Sequence, residues 1–290
     1  MELSIVILTF NSERTILNTL RAAQRISEDI YVVDSFSSDR TAAIVEESGG
    51  IRLVRHQFVN YSRQRNWAIE HLPLKHEWEL HLDADEILSE ELISELQTLK
   101  RTGVPPNVNG YFVPRLVHFL GRAIRHGGMF PIWHMRIFRR GHGRCEEREY
   151  DQHFVIDGNS LRLYGALIDD IRMPLSEWII RHNRWSDAEV RELCCSSPIA
   201  RICGRFGGNP IERKRYFRSF YLRMPLLLRP LLLFVYRYFV RCGFLDGREG
   251  LIFFSLQTFW FRFLVDAKIH EYKLERESLH VEERRQPNVE

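Results

Sequence analysis

The sequence predicts an α/β fold: a Rossmann-like, mostly parallel sheet with helices on both faces, followed by a helical, basic and aromatic C-terminal segment. Three observations predict it. Over the first 100 residues short, continuous apolar runs alternate with amphipathic stretches. Turn-prone polar clusters sit just past the apolar runs, where open α/β sheets place their ligands. Charge is divided along the chain, with 10 Lys+Arg against 17 Asp+Glu in residues 1–100 and 10 against 1 in residues 201–241, so the two regions have different electrostatic tasks.

Residues 3–8 are a continuous Ile/Val-rich run, the signature of a central parallel strand. Residues 13–23 place Ile16, Leu17, Leu20 and Ala23 at helical spacing, with Ser12 positioned to cap them. Residues 30–33 read as a second strand, 40–48 as a helix stopped by Gly49 and Gly50, and 51–54 as a third strand. A helix over 62–72, a strand over 78–82 and a helix over 90–99 complete the alternation, which implies right-handed crossovers. From Gly110 the texture changes to strand-like pieces, YFVPRLVHFL and MRIFRR, separated by RHGGMF and GHGR. These are expected to finish the sheet and wall a second pocket. Helix is expected over 174–195 and over part of 215–272, and residues 275–290 are expected to fray.

At 290 residues, 44% hydrophobic and 27% charged, the chain can bury a full core and is too apolar for wholesale disorder. The cysteines, Cys145, Cys194, Cys195, Cys203 and Cys242, have neither zinc-site nor redox-motif spacing and read as reduced thiols in a cytosolic setting. The N-terminal MELSIVILTF has no basic n-region and no cleavage site, so export through a signal peptide is not expected. There is no G-x-G-x-x-G and no P-loop, which leaves dinucleotide enzymes and Walker-type NTPases without support.

The stretch HLDADEIL, residues 81–88, carries Asp83, Asp85 and Glu86. On an extended segment D-x-D projects both aspartates to one side. Two anions a few ångströms apart repel by about 1 kcal/mol in water and by several times that at lower effective dielectric. Two readings are open: Ser89 or Asp85 caps a helix starting at Glu90, or Asp83 and Asp85 share a divalent cation with a substrate diphosphate. The loop DSFSSDRT, residues 34–41, reads either as an Asx-rich turn or as the rim of a nucleoside site. Arg63, Arg65 and Asn66 open a helix near a strand end, a placement that suits phosphate.

Taken in order, LSIVILTFNSE, VVDSFSSDRT, SRQRNWAI and LDADE resemble the family 2 glycosyltransferases, whose GT-A fold binds a nucleotide sugar through a D-x-D metal site. GYFVPRLVHFLGRAIRHGG, MRIFRRGHGR and FLDGREGL extend the resemblance to about residue 272, toward the subgroup that contains lipopolysaccharide-core β-1,4-glucosyltransferases. The resemblance implies a GT-A catalytic domain over 1–172, with 1–100 the nucleotide-sugar half and 101–172 the acceptor half, then a helical membrane-associating region over 173–274 and a charged tail over 275–290. It implies that Thr9, Asn11 and Glu13 meet the nucleotide, Asp34 the base or ribose, and Arg65 and Asn66 the uracil and phosphates of a UDP-hexose. Asp83 and Asp85 match the D-x-D that holds Mg²⁺ or Mn²⁺. The chain departs from the family at Ser35 and Phe36, where a second acidic residue and Gly are usual.

An inverting transferase of this kind needs a general base for the acceptor hydroxyl. CEEREYDQH, residues 145–153, is the expected source: Asp151 matches a position usually Glu, with Glu146 second, and Tyr150 stands where His is usual. His126, Gly127 and Gly128 are expected to shape the acceptor side. The reaction implied is one in-line displacement with inversion at the anomeric carbon.

Residues 213–241 mix Arg with Phe, Tyr and Leu, and Arg223, Arg229 and Arg237 leave no charge-free run longer than seven; residues 250–261 form an uncharged run of twelve. Both fall short of a membrane span. The expectation is helices lying in the cytoplasmic interface of the inner membrane, arginines reaching anionic headgroups, with a helix pair packed on the catalytic domain as the alternative. A lipid-linked or lipopolysaccharide-type acceptor follows, and no nucleic-acid partner is expected. Two other classes were weighed: a sugar-phosphate nucleotidyltransferase, which needs a Gly-rich triphosphate loop that TFNSERT does not supply, and a non-catalytic membrane-surface adaptor on a degenerate transferase fold.

Overall fold

The computed structural model of the chain describes residues 1–148, 151–194 and 203–285, with side chains up to 278. Tyr150, Cys195 and the last five residues of the expected tail lie outside the described residues.

The first half alternates as expected: β1 (Leu3–Thr9), α1 (Ile16–Gln24), β2 (Asp29–Asp34), α2 (Thr41–Glu47), β3 (Ile51–Arg55), α3 (Tyr61–His71) and β4 (Trp78–Asp83). All seven residues of β1 and all six of β2 are buried, because uninterrupted Ile and Val can be covered on both faces only inside a sheet. Burying each such side chain contributes about 2 kcal/mol. The start of α1 departs from expectation. Ser12 does not cap it with its hydroxyl; its carbonyl instead accepts the Thr15 and Ile16 N–H groups at 3.0 and 2.9 Å.

After β4 comes a short strand, β5 (Glu86–Leu88), and then α4 (Glu90–Thr102). Ser89 caps α4 by accepting the Leu92 N–H at 3.2 Å, so the acidic cluster is separated from that helix by a strand and is not its cap. The second half continues with β6 (Val108–Phe119), β7 (Arg122–Ile124), β8 (Ile132–Arg139), β9 (Gly143–Cys145), β10 (Phe154–Ile156), β11 (Asn159–Arg162) and β12 (Leu167–Ile171).

One ten-stranded sheet runs in the order β3-β2-β1-β4-β8-β6-β12-β5, with β7 and β11 also paired to β6, while β9 and β10 form a separate hairpin. The first four strands are parallel; β8 enters antiparallel to both β4 and β6. The sheet is therefore mixed: β8 runs against its neighbours, while β11 and β12 return parallel to β6 and β5 closes the edge antiparallel to β12. Helices α1, α2 and α4 pack one face through Ile16, Leu20, Val45 and Leu92. Helix α3 covers the other face through Ala68 and Leu72.

The C-terminal region comprises α5 (Leu175–Cys194), α6 (Pro210–Arg223), α7 (Leu228–Val235), α8 (Gly247–Phe253) and α9 (Phe261–Arg285), with wider helical turns at Tyr236–Val240 and Phe254–Trp260. Asn209 and Glu212 form a reciprocal cap on α6. The alternative of helices packed on the catalytic domain describes one side of this region: Phe253, Phe254 and Trp178 join Val117, Phe119 and Ile124 of the sheet. Two expectations change. Helix α9 extends to Arg285, into the stretch expected to fray, whose last five residues lie outside the described residues. The helical run Gly243–Ser278 contains one 18-residue window apolar enough to cross a membrane by length and composition, with 39% of that window buried inside the protein. Among the described residues Cys145, Cys203 and Cys242 form no disulfide.

Candidate active site at the switch point of the sheet

In the order β3-β2-β1-β4 the chain steps outward from β1 in one direction and then returns to its other side, so a crevice opens at the carboxyl ends of β1 and β4. Register brings the expected residues to one edge. Thr9 lies opposite Asp34, and Leu8 opposite Asp83.

The two loops at this edge are laced together. Asn11, in the left-handed region at φ 47°, donates its N–H to Ser37 Oγ at 2.8 Å and accepts the Ser38 N–H at 2.8 Å. Glu13 accepts the Arg40 N–H and donates its own to Asp39, both at 3.1 Å. Asp34 is 1% exposed and accepts the Ser37 N–H and hydroxyl. Asp34, expected to meet the base or ribose, closes the turn through these bonds to Ser37. Thr9 keeps a buried hydroxyl with no partner. Two aromatic rings stand open on these loops, Phe10 and Phe36, each 58% exposed, and Phe36 holds φ 62°. For a bulky residue that backbone is costly. The departure at Phe36 was visible in the sequence; its exposure was not.

Asn66 is also reassigned. Its side chain donates to the Cys145 carbonyl at 3.0 Å and accepts the Cys145 N–H at 2.8 Å, bracketing α3 to β9, so its amide is spent on the protein. Arg65 lies on α3, 9% exposed, with Nη2 at 2.8 Å from Asp83 Oδ1 and its guanidinium over the Phe154 ring.

Asp83 is gripped from the other side by Arg136 of β8, whose Nη2 lies 2.9 Å from Oδ2 and which also pairs with Glu86. Burial pushes the Asp83 carboxyl up, but Arg65 and Arg136 outweigh it and hold the group well below the usual carboxylate range. Glu86, buried, accepts the Asp83 N–H at 3.0 Å. Asp83 is thus ion-paired on both oxygens, which leaves Asp85 the less neutralised of the expected Asp83–Asp85 pair. Arg136 was missed by sequence reasoning; the signal was a charged residue at an interior position of the strand MRIFRR.

Asp85 has the opposite surroundings. Its side chain is 31% exposed, and the nearest cationic atom is Arg181 Nη1 of α5 at 4.0 Å. Burial, then the carboxylates of Asp169, Asp83 and Glu86, push its carboxyl up to about 8. Asp169 of β12 is itself paired to Arg115 of β6. Among the described residues no group of three His, Cys, Asp or Glu side chains is arranged to hold a metal ion alone. What fits is a cation held by Asp85 together with oxygens that a ligand brings, since Mg²⁺ commonly takes one or two carboxylates plus substrate phosphates.

The second acidic cluster is built differently. Asp151 faces Lys214 at 2.7 Å, Arg215 at 3.2 Å and Arg218 at 3.0 Å. Glu146, buried, pairs with Arg215 at 2.6 Å and accepts the His153 N–H at 3.0 Å. Burial raises Asp151, but Lys214, His153, Arg215 and Arg218 outweigh it and hold its carboxyl well below the usual range. A carboxylate so neutralised is a weak proton acceptor. Through these ion pairs Asp151 and Glu146 anchor α6 to the β9–β10 hairpin, and the surroundings of Asp151 weigh against it as the expected general base. His126 Nδ1 faces Asp246, which also accepts the Arg125 and His126 N–H groups at 3.2 and 2.9 Å, and Gly127 donates to the Arg241 carbonyl at 2.9 Å. The RHGG loop is fastened to the C-terminal helices.

Residues 4–104 match the family model for glycosyl transferase family 2. The chain is 25% identical over 280 residues, 93% of either chain, to the lipopolysaccharide core biosynthesis glycosyltransferase LpsC of Rhizobium meliloti. It is 34% identical over 96 residues, 33% of this chain and 32% of the relative, to an uncharacterized glycosyltransferase of Rickettsia bellii. Among solved structures, S. aureus TarS 1-349 in complex with UDP-GlcNAc is similar at a TM-score of 0.43 and 13% identity, over 93% of this chain and 92% of that one.

Proposed function

We propose that this chain, whose residues 4–104 match the family model for glycosyl transferase family 2, is a glycosyltransferase that transfers a hexose from a UDP-sugar to a lipid-linked or lipopolysaccharide-type acceptor, with inversion, at the cytoplasmic face of a membrane. The acceptor class rests on the likeness to LpsC. The observation that carries the donor reading is Asp85: a partly open carboxylate at the switch point, crowded by three other carboxylates, is where a cation bound to a diphosphate would offset the most repulsion.

In this reading a divalent cation held by Asp85 and the donor's phosphate oxygens would draw off the negative charge that develops on the leaving diphosphate. Arg65 and Arg136 keep Asp83 ionised and fixed, so the floor of the crevice does not reorganise as charge moves. Phe10 and Phe36 offer exposed ring faces beside the unpartnered Thr9 hydroxyl, which suits a flat nucleobase.

The test is a thermal-shift screen of nucleotide sugars with and without Mn²⁺, followed by a transfer assay. A UDP-sugar with Mn²⁺ should raise Tm by several degrees, and no stabilisation by any nucleotide sugar would contradict the proposal.

A further inference from the structure

The helical stretch from Leu228 to Val240 is inside out. Positions 228, 231, 232, 235, 236, 239 and 240 recur at the spacing of one helix face, and all are Leu, Val, Phe or Tyr, yet each is 41–66% exposed. The charged residues of the same stretch point inward. Arg229 is 3% exposed and paired through Nε to Asp266 of α9 at 2.9 Å; Arg237 donates to the Met129 sulfur at 2.8 Å. In water a surface helix turns its apolar stripe to the core and its charges out, and this one does the reverse. Phe244, Leu245, Leu251 and Ile252 continue the exposed apolar surface onto α8.

We infer that this surface docks shallowly into an anionic lipid bilayer, with the α7 stripe in the acyl boundary. The inference rests on the membrane placement proposed above and deepens it, because the arginines expected to meet headgroups are redistributed: Arg229 and Arg237 hold the helix to the protein, while the exposed Arg223, Arg241 and Arg248 bracket the stripe. Residues 213–245 contain no Asp or Glu. A basic rim around an acid-free apolar face complements anionic headgroups and repels a second copy of itself. Docking also sets an orientation. Gly127 sits at φ 63° directly against Phe254, where a Cβ would come within 2.1 Å of the ring, and Asp246 clamps the adjoining backbone. The RHGG loop therefore rides on the inner side of the docked helix, and an acceptor held in the bilayer reaches it from the headgroup layer.

The experiment uses the full chain and co-sedimentation with phosphatidylcholine vesicles, with and without phosphatidylglycerol. The wild type should bind the anionic vesicles, less so at high salt. The double variant Leu232→Glu, Phe239→Glu should bind at least tenfold more weakly with an unchanged Tm, whereas Leu232→Ile, Phe239→Leu should bind as the wild type does. Thermal shift by nucleotide sugar is read on the same samples, so failure of the donor reading is seen separately from failure of docking. Undiminished vesicle binding by the double Glu variant would overturn the inference. So would a concentration-dependent dimer that the same variant abolishes without any lipid binding, which would assign the face to a second copy.

Discussion

The chain carries two clusters of acidic side chains, and they have opposite environments. At the end of β4, Asp85 is left with one guanidinium at 4.0 Å and three carboxylate neighbours. Near β10, Asp151 is surrounded by Lys214, Arg215 and Arg218 at 2.7–3.2 Å. The first stores repulsion that a ligand can relieve; the second is complete and holds elements together. Residue type alone does not separate a working carboxylate from a structural one, because the counter-charges come from residues far along the chain.

The largest effect expected from breaking this contrast is on turnover. Asp85→Asn should lower transfer by roughly 10³-fold, the scale of losing a main source of charge stabilisation. It should leave Tm equal or raised, because one of four crowded carboxylates has gone. Radiolabelled sugar transfer and calorimetry on the same preparation check both.

Next comes stability. Asp151→Ala leaves Lys214 without its carboxylate and removes one of two acidic partners from Arg215 and from Arg218, which keep Glu146 and Glu189; it should cost about 3 kcal/mol in urea unfolding, while the folded fraction keeps turnover within about tenfold. The loss has a pH signature. The folded Asp151 carboxyl lies below its ordinary value, so the unfolded chain binds more protons in the interval between. Its stabilisation is fully present above about pH 5 and is lost as pH falls through about 4 and below. The gap between wild type and Asp151→Ala in urea midpoint should therefore be widest near neutrality and narrow on acidification. A gap constant down to pH 3 would show that the cluster is not an ion-pair lock.

The smallest expected effect is at Asn66. If its amide brackets α3 to β9, Asn66→Ala should cost about 2 kcal/mol for two lost hydrogen bonds and leave the KM for nucleotide sugar unchanged. A several-fold rise in KM at constant Tm would return Asn66 to the donor site.

The first hundred residues were legible in the sequence because their strands are uninterrupted apolar runs and the helices between them are short and amphipathic. Strand ends could therefore be located, and with them Thr9, Arg65, Asp83 and Asp85. Three things were hidden by distance in sequence. Arg136 reaches Asp83 from 53 residues away, Lys214 reaches Asp151 from 63 away, and Arg229 turns inward because Asp266 waits 37 residues later. Strand β5 was hidden for a related reason: three residues between an acidic turn and a helix become a strand only when β12 arrives to pair with them. Local pattern gives elements and edges; partners come from topology.

The most direct test of the contrast is a side-by-side measurement of transfer rate and Tm for Asp85→Asn and Asp151→Asn. Turnover lost with Tm kept in the first, and Tm lowered with turnover largely kept in the second, is the predicted result. Turnover abolished at unchanged Tm by Asp151→Asn, with Asp85→Asn still active, would contradict it.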